Sequence, residues 1–187
     1  MKDTIFESLA PGLLVASGSL DEPNFRRTVI LMVEHNTEGA LGIVLNRVSD
    51  ASVRELCADQ GMVSHAESMI RVGGPVSPER VWVIHPEGAT GEAAFSVGAG
   101  VAISVTREAL GVVAGPDANP KATNYIVCAG YAGWGAGQLE SEIGAGAWIP
   151  CPVEFLDIFG TEPEQMWSSL SLSLGVFAPR GTAPTVN

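Results

Sequence analysis

The chain of 187 residues and 19.4 kDa has the length of one domain, and its composition, 46% hydrophobic and 17% charged, is too apolar for a disordered protein. No apolar run reaches the roughly 18 residues that a membrane-spanning helix needs. The 21 acidic residues against 10 basic ones give a net charge of -11, which opposes binding to nucleic-acid phosphates and to anionic membranes. We therefore expect a soluble domain whose partner is a protein or a small metabolite.

The first predicted elements are strands. Residues 13–16 form a short apolar run that ends at a polar turn. Residues 28–34 and 40–45 are β-rich and apolar at nearly every position, and a short loop ending at Gly39 joins them. They predict a hairpin that is covered on both faces. Gly42 in its second strand predicts a bulge or a close backbone neighbour.

Strands also dominate the middle of the chain. Five more are predicted at residues 69–72, 81–85, 94–97, 101–105 and 124–129. The segment 73–78 contains two glycines and two prolines, so we expect a turn there. A polar, glycine-rich loop is predicted at residues 88–91.

Capping patterns mark the predicted helices. Ser52 and Glu55 have the spacing of a capping box and predict a helix of about two turns. Thr106 is expected to cap a helix that ends at Gly115. Thr161 and Glu164 predict a second capping box. The helix after it has an apolar stripe formed by Trp167, Leu170 and Leu174.

These elements do not alternate regularly, which argues against a doubly wound sheet. We predict a single α+β domain spanning residues 1–187, in which a mixed or antiparallel sheet forms a layer or a partly closed barrel with flanking helices. The ordered core is expected at about residues 8–178, with loose ends.

A glycine-rich segment, residues 130–137, invites a functional interpretation. It has four glycines and is predicted to be a loop between the strand at 124–129 and a helix at 138–143. Tight packing with chain reversal is the favoured interpretation, followed by a pocket for a neutral or cationic ligand. Phosphate binding is disfavoured, because the segment has no Lys or Arg and because Glu140 and Glu142 are expected in the first turn of the helix.

The sequence of this block, GYAGWGAGQLESEI at 130–143 followed by Trp148, resembles the signature of the bacterial YqgE/AlgH family. Further similar blocks are FRRTV at 25–29, EH at 34–35, GALGIVLNR at 39–47 and GGPV at 73–76, so the resemblance covers about residues 13–175. It implies one α/β domain with a bent, barrel-like sheet and a family without an established biochemical activity. Some members are labelled transcriptional regulators linked to exopolysaccharide control, but this chain shows no helix-turn-helix.

Candidate site residues are few, and the catalytic residues stay unknown. No G-x-S-x-G elbow or metal-ligand spacing is present, so we expect no metal and no cofactor. His35 and His85 could belong to a dyad, although solvated loop histidines are the favoured interpretation. Polar residues beside the strands could converge on a pocket, although ion pairs for Arg27 and Arg47 are favoured. The candidate ligand-binding residues are Arg27, His35, Asn46, Trp134, Gln138 and Glu140.

The cysteines and the amino terminus indicate a cytoplasmic protein. The first seven residues carry acids where a signal peptide needs positive charge. Cys57, Cys128 and Cys151 are odd in number and lack a C-x-x-C spacing, so reduced, buried thiols are expected. Two functions stay open: a non-enzymatic binding or regulatory protein, which we favour, and a small enzyme with a pocket around the glycine-rich loop. The sequence does not indicate an oligomeric state.

Overall fold

The computed structural model describes residues 7–90, 94–118 and 124–176, and both chain ends that were predicted to be loose extend outside these ranges. The strands are β1 (Gly12–Ala16), β2 (Val29–Asn36), β3 (Gly39–Val44), β4 (Val48–Ser52), β5 (Met69–Val72), β6 (Val76–Pro86), β7 (Phe95–Ser96), β8 (Val101–Ser104), β9 (Ile126–Gly135) and β10 (Trp148–Cys151). The helices are α1 (Val53–Asp59), α2 (Arg107–Ala114), α3 (Gln138–Gly144), α4 (Phe155–Phe159) and α5 (Pro163–Ser173).

The strands form one curled sheet, a half-barrel, in the order β10-β1-β2-β3-β9-β6-β8-β7. The pairs along this path are antiparallel, and β5, which pairs with β4, joins β9 in parallel. The predicted α+β class with a bent, partly closed sheet is therefore confirmed. The prediction missed β4, β10 and α4, which are short.

The β2–β3 hairpin is confirmed, and so is the close neighbour of Gly42. A Cβ atom on Gly42 would lie 2.5 Å from Cγ2 of Ile30 and 3.2 Å from the backbone oxygen of Leu31. The bulge lies in the partner strand, where the register shifts between Met32 and Glu34.

The long strand β9 corrects the predicted glycine loop. It continues through the glycines to Gly135 and bends at Gly130, whose φ is +76°. Its first part pairs with β5 and β6 and its last part pairs with β3, so one strand joins both halves of the sheet. The segment 73–78 is likewise a turn only in part, because β6 already begins at Val76. Small residues let neighbouring backbones approach closely here, and pairing replaces the expected chain reversal.

Two apolar clusters cover the two faces of the central strands. The larger includes Trp82, Ile126 and residues of α5, whereas the smaller includes Val83, Val127 and residues of α1 and α2. Consecutive residues of β6 and β9 thus alternate between two buried faces. This explains why these strands are apolar at successive positions.

The helices follow the predicted caps with one exception. Ser52 and Glu55 form the capping box of α1, and Thr106 caps α2, which ends at Gly115. The capping box predicted for α5 is wrong: Glu162 is its N-cap and makes no side-chain cap bond, since Pro163 occupies the first helical position. Within the described residues, no helix is long and apolar enough to cross a membrane.

The α1 cap gives a first testable prediction. Ser52 Oγ accepts the Glu55 N–H at 3.1 Å, so Ser52→Ala is expected to lower the free energy of unfolding by ~1 kcal/mol in urea denaturation at neutral pH. The reciprocal bond from the Ser52 N–H lowers the pKa of Glu55 below 4.5. The stabilising effect of this hydrogen bond is therefore complete above the usual pKa of a glutamate and is lost as pH falls through the lowered pKa of Glu55. A stability gap between Glu55→Ala and the parent that persists in strong acid would contradict this reasoning.

Candidate functional site

The centre of the candidate site is the Trp134 indole on β9. Trp134 is 7% exposed and lies opposite Ala40 of β3. Its ring stacks on Phe25, with centroids 6.3 Å apart, and meets the edge of Trp148, with centroids 6.0 Å apart. Trp134 therefore anchors β9 in the apolar core, in agreement with the tight packing favoured for this segment from the sequence.

The carboxylate of Glu142 joins this aromatic cluster to α3. Its Oε2 accepts the indole N–H of Trp134 at 2.9 Å and that of Trp148 at 2.8 Å. Its Oε1 accepts from Nε2 of Gln138 at 2.8 Å, and Oε1 of Gln138 accepts the Gly135 N–H at 3.1 Å. The cluster therefore satisfies its polar groups internally. We call Trp134, Gln138, Glu142 and Trp148 the tryptophan–glutamate cluster.

The sequence indicated Trp134 and Gln138 but missed the roles of Glu142 and Trp148. Glu142 was expected to act only on the helix terminus, whereas it lies in the second turn of α3. The one local signal was the i, i+4 spacing of Gln138 and Glu142, which places both on the same helix face.

His35 is buried, so its predicted position in a solvated loop is wrong. It is 7% exposed near the end of β2. Its Nδ1 accepts the Leu9 N–H at 2.9 Å, so in this arrangement the proton is on Nε2, which lies 3.2 Å from Oε1 of Glu140. The lone pair of the ring and its N–H group are thus both engaged.

The other two candidate residues lie apart from this group. Asn46 accepts the Val29 N–H and donates to the Arg27 carbonyl, both at 2.9 Å, which holds two chain segments together. The guanidinium of Arg27 lies 5.4 Å from the Trp167 ring centre, and Arg47 donates to the Pro23 and Arg26 carbonyls. Among the described residues, the ion pairs predicted for these arginines are replaced by ring and carbonyl contacts.

A shallow cleft of about 200 Å³ lies beside Trp134 at the end of the β2–β3 hairpin. Glu34, Asn36 and Glu38 line it. Nδ2 of Asn36 donates to Glu34 at 2.8 Å, and its Oδ1 accepts the Glu38 N–H at 2.8 Å. The cleft is therefore acidic, and the side-chain amide of Asn36 is already hydrogen-bonded to Glu34 and Glu38.

His85 is completely buried, which also corrects its predicted solvated position. Its Nδ1 lies 2.9 Å from the Pro86 carbonyl, which can only accept, so Nε2 accepts from Oγ of Ser104 at 2.9 Å. Thr90 lies 3.4 Å from the same nitrogen. A serine beside a histidine resembles a nucleophile and its base, but burial closes the pair to substrate. The pair is distant in sequence, and no local motif could have predicted it.

Comparison with known proteins identifies the family. A family model described as AlgH-like matches residues 13–178. A UPF0301 protein of Anaeromyxobacter sp. (strain K) is 39% identical over 179 residues, which are 90% of this chain and 89% of the relative. A UPF0301 protein of Myxococcus xanthus is 39% identical over 173 residues, 91% and 93% of the two chains.

The chain belongs to the AlgH-like family. Its structure is similar to the solution structure of the AlgH protein from Pseudomonas aeruginosa, with a TM-score of 0.75 and 33% identity over 95% of this chain and 94% of that one. A crystal structure of protein DIP2367 from Corynebacterium diphtheriae, 22% identical, shares the fold with a TM-score of 0.73 over 90% and 88%. The names of these relatives assign no reaction, so family membership defines the fold and leaves the activity to the geometry of the site.

The cysteines of this AlgH-like protein give a second prediction. Cys57, Cys128 and Cys151 are free thiols. Burial raises the pKa of Cys128 to about 12, and burial together with the Asp157 carboxylate raises the pKa of Cys151 to about 11. At about pH 8 we expect these two to resist alkylation in the native protein, whereas the denatured chain takes up a label on every cysteine in mass spectrometry. Rapid native labelling of Cys128, or an intramolecular disulfide, would contradict this prediction.

Proposed function

We propose that this protein is a non-enzymatic binding or regulatory protein of the cytoplasm, acting through a small-molecule ligand or a protein partner. One observation supports this proposal: the side chains most suited to chemistry are engaged in holding the fold together. The Glu142 carboxylate accepts from two indoles and an amide, and the His35 ring is held between Leu9 and Glu140.

A catalytic base needs a lone pair within reach of the proton that it removes. In His35 that lone pair accepts the Leu9 N–H, and in the buried His85 it accepts from Ser104. An enzyme site here would have to break these bonds in the buried interior, which costs about 1–3 kcal/mol for each polar group left unpaired. A binding protein needs no such rearrangement.

A thermal-shift screen against a metabolite library tests the proposal. A ligand at about 100 times its Kd stabilises the native state by roughly 2.7 kcal/mol, which is readily detected. Each stabilising compound is then incubated with the protein and followed by NMR. We expect compounds that bind and are recovered unchanged. Conversion of any of them to product, abolished by His35→Gln but retained by the exposed control Arg54→Ala, would overturn the proposal in favour of the small-enzyme alternative.

Charge leads to a third prediction, on nucleic acid. With two lysines, eight arginines and a net charge of -11, the protein has little to neutralise phosphates. We expect the purified protein to leave genomic DNA fragments unshifted in electrophoresis at moderate salt. Sequence-selective retention at submicromolar protein would mean that a regulatory role includes direct DNA reading.

A further inference from the structure

Arg71 on β5 is a half-buried cation. Its Nη1 donates to the Leu45 carbonyl at 2.6 Å. Among the described residues no carboxylate oxygen lies within 4.0 Å of the guanidinium, although a guanidinium carries several further N–H donors. Burial lowers the pKa of Arg71, as expected for a charge removed from water. A partly buried charge without a direct ion pair is costly, so a ligand carboxylate that pairs with it would be stabilised there.

Arg71 lines a cleft of about 250 Å³ between β5, the start of β9 and the amino end of α5. Val48, Met69 and Ile126 contribute apolar surface to this cleft, and Val48 and Met69 are exposed hydrophobic residues. The hydroxyls of Ser68 and Tyr125, 3.1 Å apart, are bonded to each other. The cleft is smaller than the roughly 300–1,000 Å³ of sites for drug-sized ligands, so its ligand must be small.

Two carboxylates stand on the α5 side of the cleft. Glu162 and Glu164 are exposed there, and their negative charge favours the charged form of Arg71 without forming a direct ion pair. A simple anion would gain from Arg71 but be repelled by both glutamates. A molecule with a carboxylate and an ammonium group would gain from both ends.

We propose that this cleft binds a free α-amino acid with an apolar side chain. Arg71 holds the carboxylate, Glu162 and Glu164 hold the ammonium group, and the side chain lies along Val48 and Met69. This inference names the ligand class of the binding function proposed above and therefore rests on it.

Calorimetric titration with leucine, valine and methionine tests the site on the unmodified protein. Two analogues of leucine measure the contributions of its two charged groups to binding. Leucinamide lacks the carboxylate, and 4-methylpentanoate lacks the amine. We expect at least one of the three amino acids to bind. We expect leucinamide and 4-methylpentanoate each to bind at least about tenfold more weakly than leucine, since a hydrogen bond to a charged group contributes about 1.5–3 kcal/mol.

Substitutions then locate the binding site. Arg71→Met is expected to weaken amino-acid binding at least about tenfold, whereas Arg54→Met, at an exposed position of α1, is expected to leave it unchanged. The double variant Glu162→Gln, Glu164→Gln is expected to reduce the preference for leucine over 4-methylpentanoate.

Specific results would overturn the inference. The first is that none of the three amino acids binds. The second is that 4-methylpentanoate binds as tightly as leucine, which would mean a plain anion site. The third is that a folded Arg71→Met variant binds the amino acid as tightly as the parent protein. If the three amino acids do not bind while another library compound binds and is recovered unchanged, only this inference is refuted and the proposed binding function stands. If a library compound is converted to product, the proposed function falls.

Discussion

Gly74→Ala is expected to lower the free energy of unfolding by ~2–5 kcal/mol, the sum of ~1–3 kcal/mol for overpacking and ~1–2 kcal/mol for backbone strain, which is a large part of the 5–15 kcal/mol typical of a domain. A Cβ atom at Gly74 would lie 2.1 Å from the backbone carbon of Tyr131 and 2.5 Å from the Ala132 nitrogen. These atoms belong to β9, which pairs on both sides and cannot move aside. The φ of Gly74, +151°, adds strain for any residue with a side chain.

Two other glycines are matched controls for this variant. Gly61 also has a positive φ, +70°, but nothing lies within 4 Å of its added Cβ, so Gly61→Ala is expected to cost only ~1–2 kcal/mol. Gly18 has neither feature, and Gly18→Ala is expected within ~0.5 kcal/mol of the parent. Urea denaturation of the three variants should give this order. A Gly74→Ala variant as stable as Gly61→Ala would mean that the contact with β9 can relax.

Trp134→Ala is expected to lower the free energy of unfolding by ~3–5 kcal/mol, as truncation of large aromatic residues in cores does. It removes an indole that packs on Phe25 and Trp148, and it deprives Glu142 of one of its donors. Because Trp134 lies on β9 and Glu142 on α3, the loss should loosen the contact between these two elements. Urea denaturation beside the parent measures the effect.

Two milder substitutions separate packing from hydrogen bonding. Trp134→Phe keeps an aromatic ring but loses the N–H donor to a carboxylate, with an expected cost of about 1.5–3 kcal/mol. Gln138→Ala removes exposed hydrogen bonds and is expected to cost less than about 1.5 kcal/mol. If Trp134→Ala instead has a near-parental midpoint and loses ligand binding, the indole covers a binding site and the anchoring role is refuted.

In these expectations the tryptophan–glutamate cluster of the family signature stabilises the fold, whereas Arg71 recognises the ligand. The tryptophan–glutamate cluster uses the most distinctive residues of the glycine-rich block to join β9, β10 and α3. Arg71, in contrast, donates to the Leu45 carbonyl and lines an open cleft. A damaging substitution in the cluster would therefore act through stability, whereas Arg71→Met would act through binding.

Local patterns in the sequence predicted the elements whose cause is local. The β2–β3 hairpin follows from two apolar runs and a short loop, and α1 follows from the reciprocal bonds of Ser52 and Glu55. The α+β class was also predicted, because irregular alternation of strands and helices argues against a doubly wound sheet, whereas the bend of the sheet was implied by the resemblance to the YqgE/AlgH family.

The tertiary structure alone decided what the glycines and the polar residues do. Glycine permits both a turn and a close strand pairing, and only the neighbours β3, β5 and β6 select a strand that continues to Gly135. The partners of His35, His85 and Glu142 come from other segments or other elements, so their burial could not be read from flanking residues. Arg71 is half-buried, and no carboxylate of the described residues lies within 4.0 Å of it; the sequence could not show this, because an arginine carries the same charge whether or not folding buries it or brings a counterion to it.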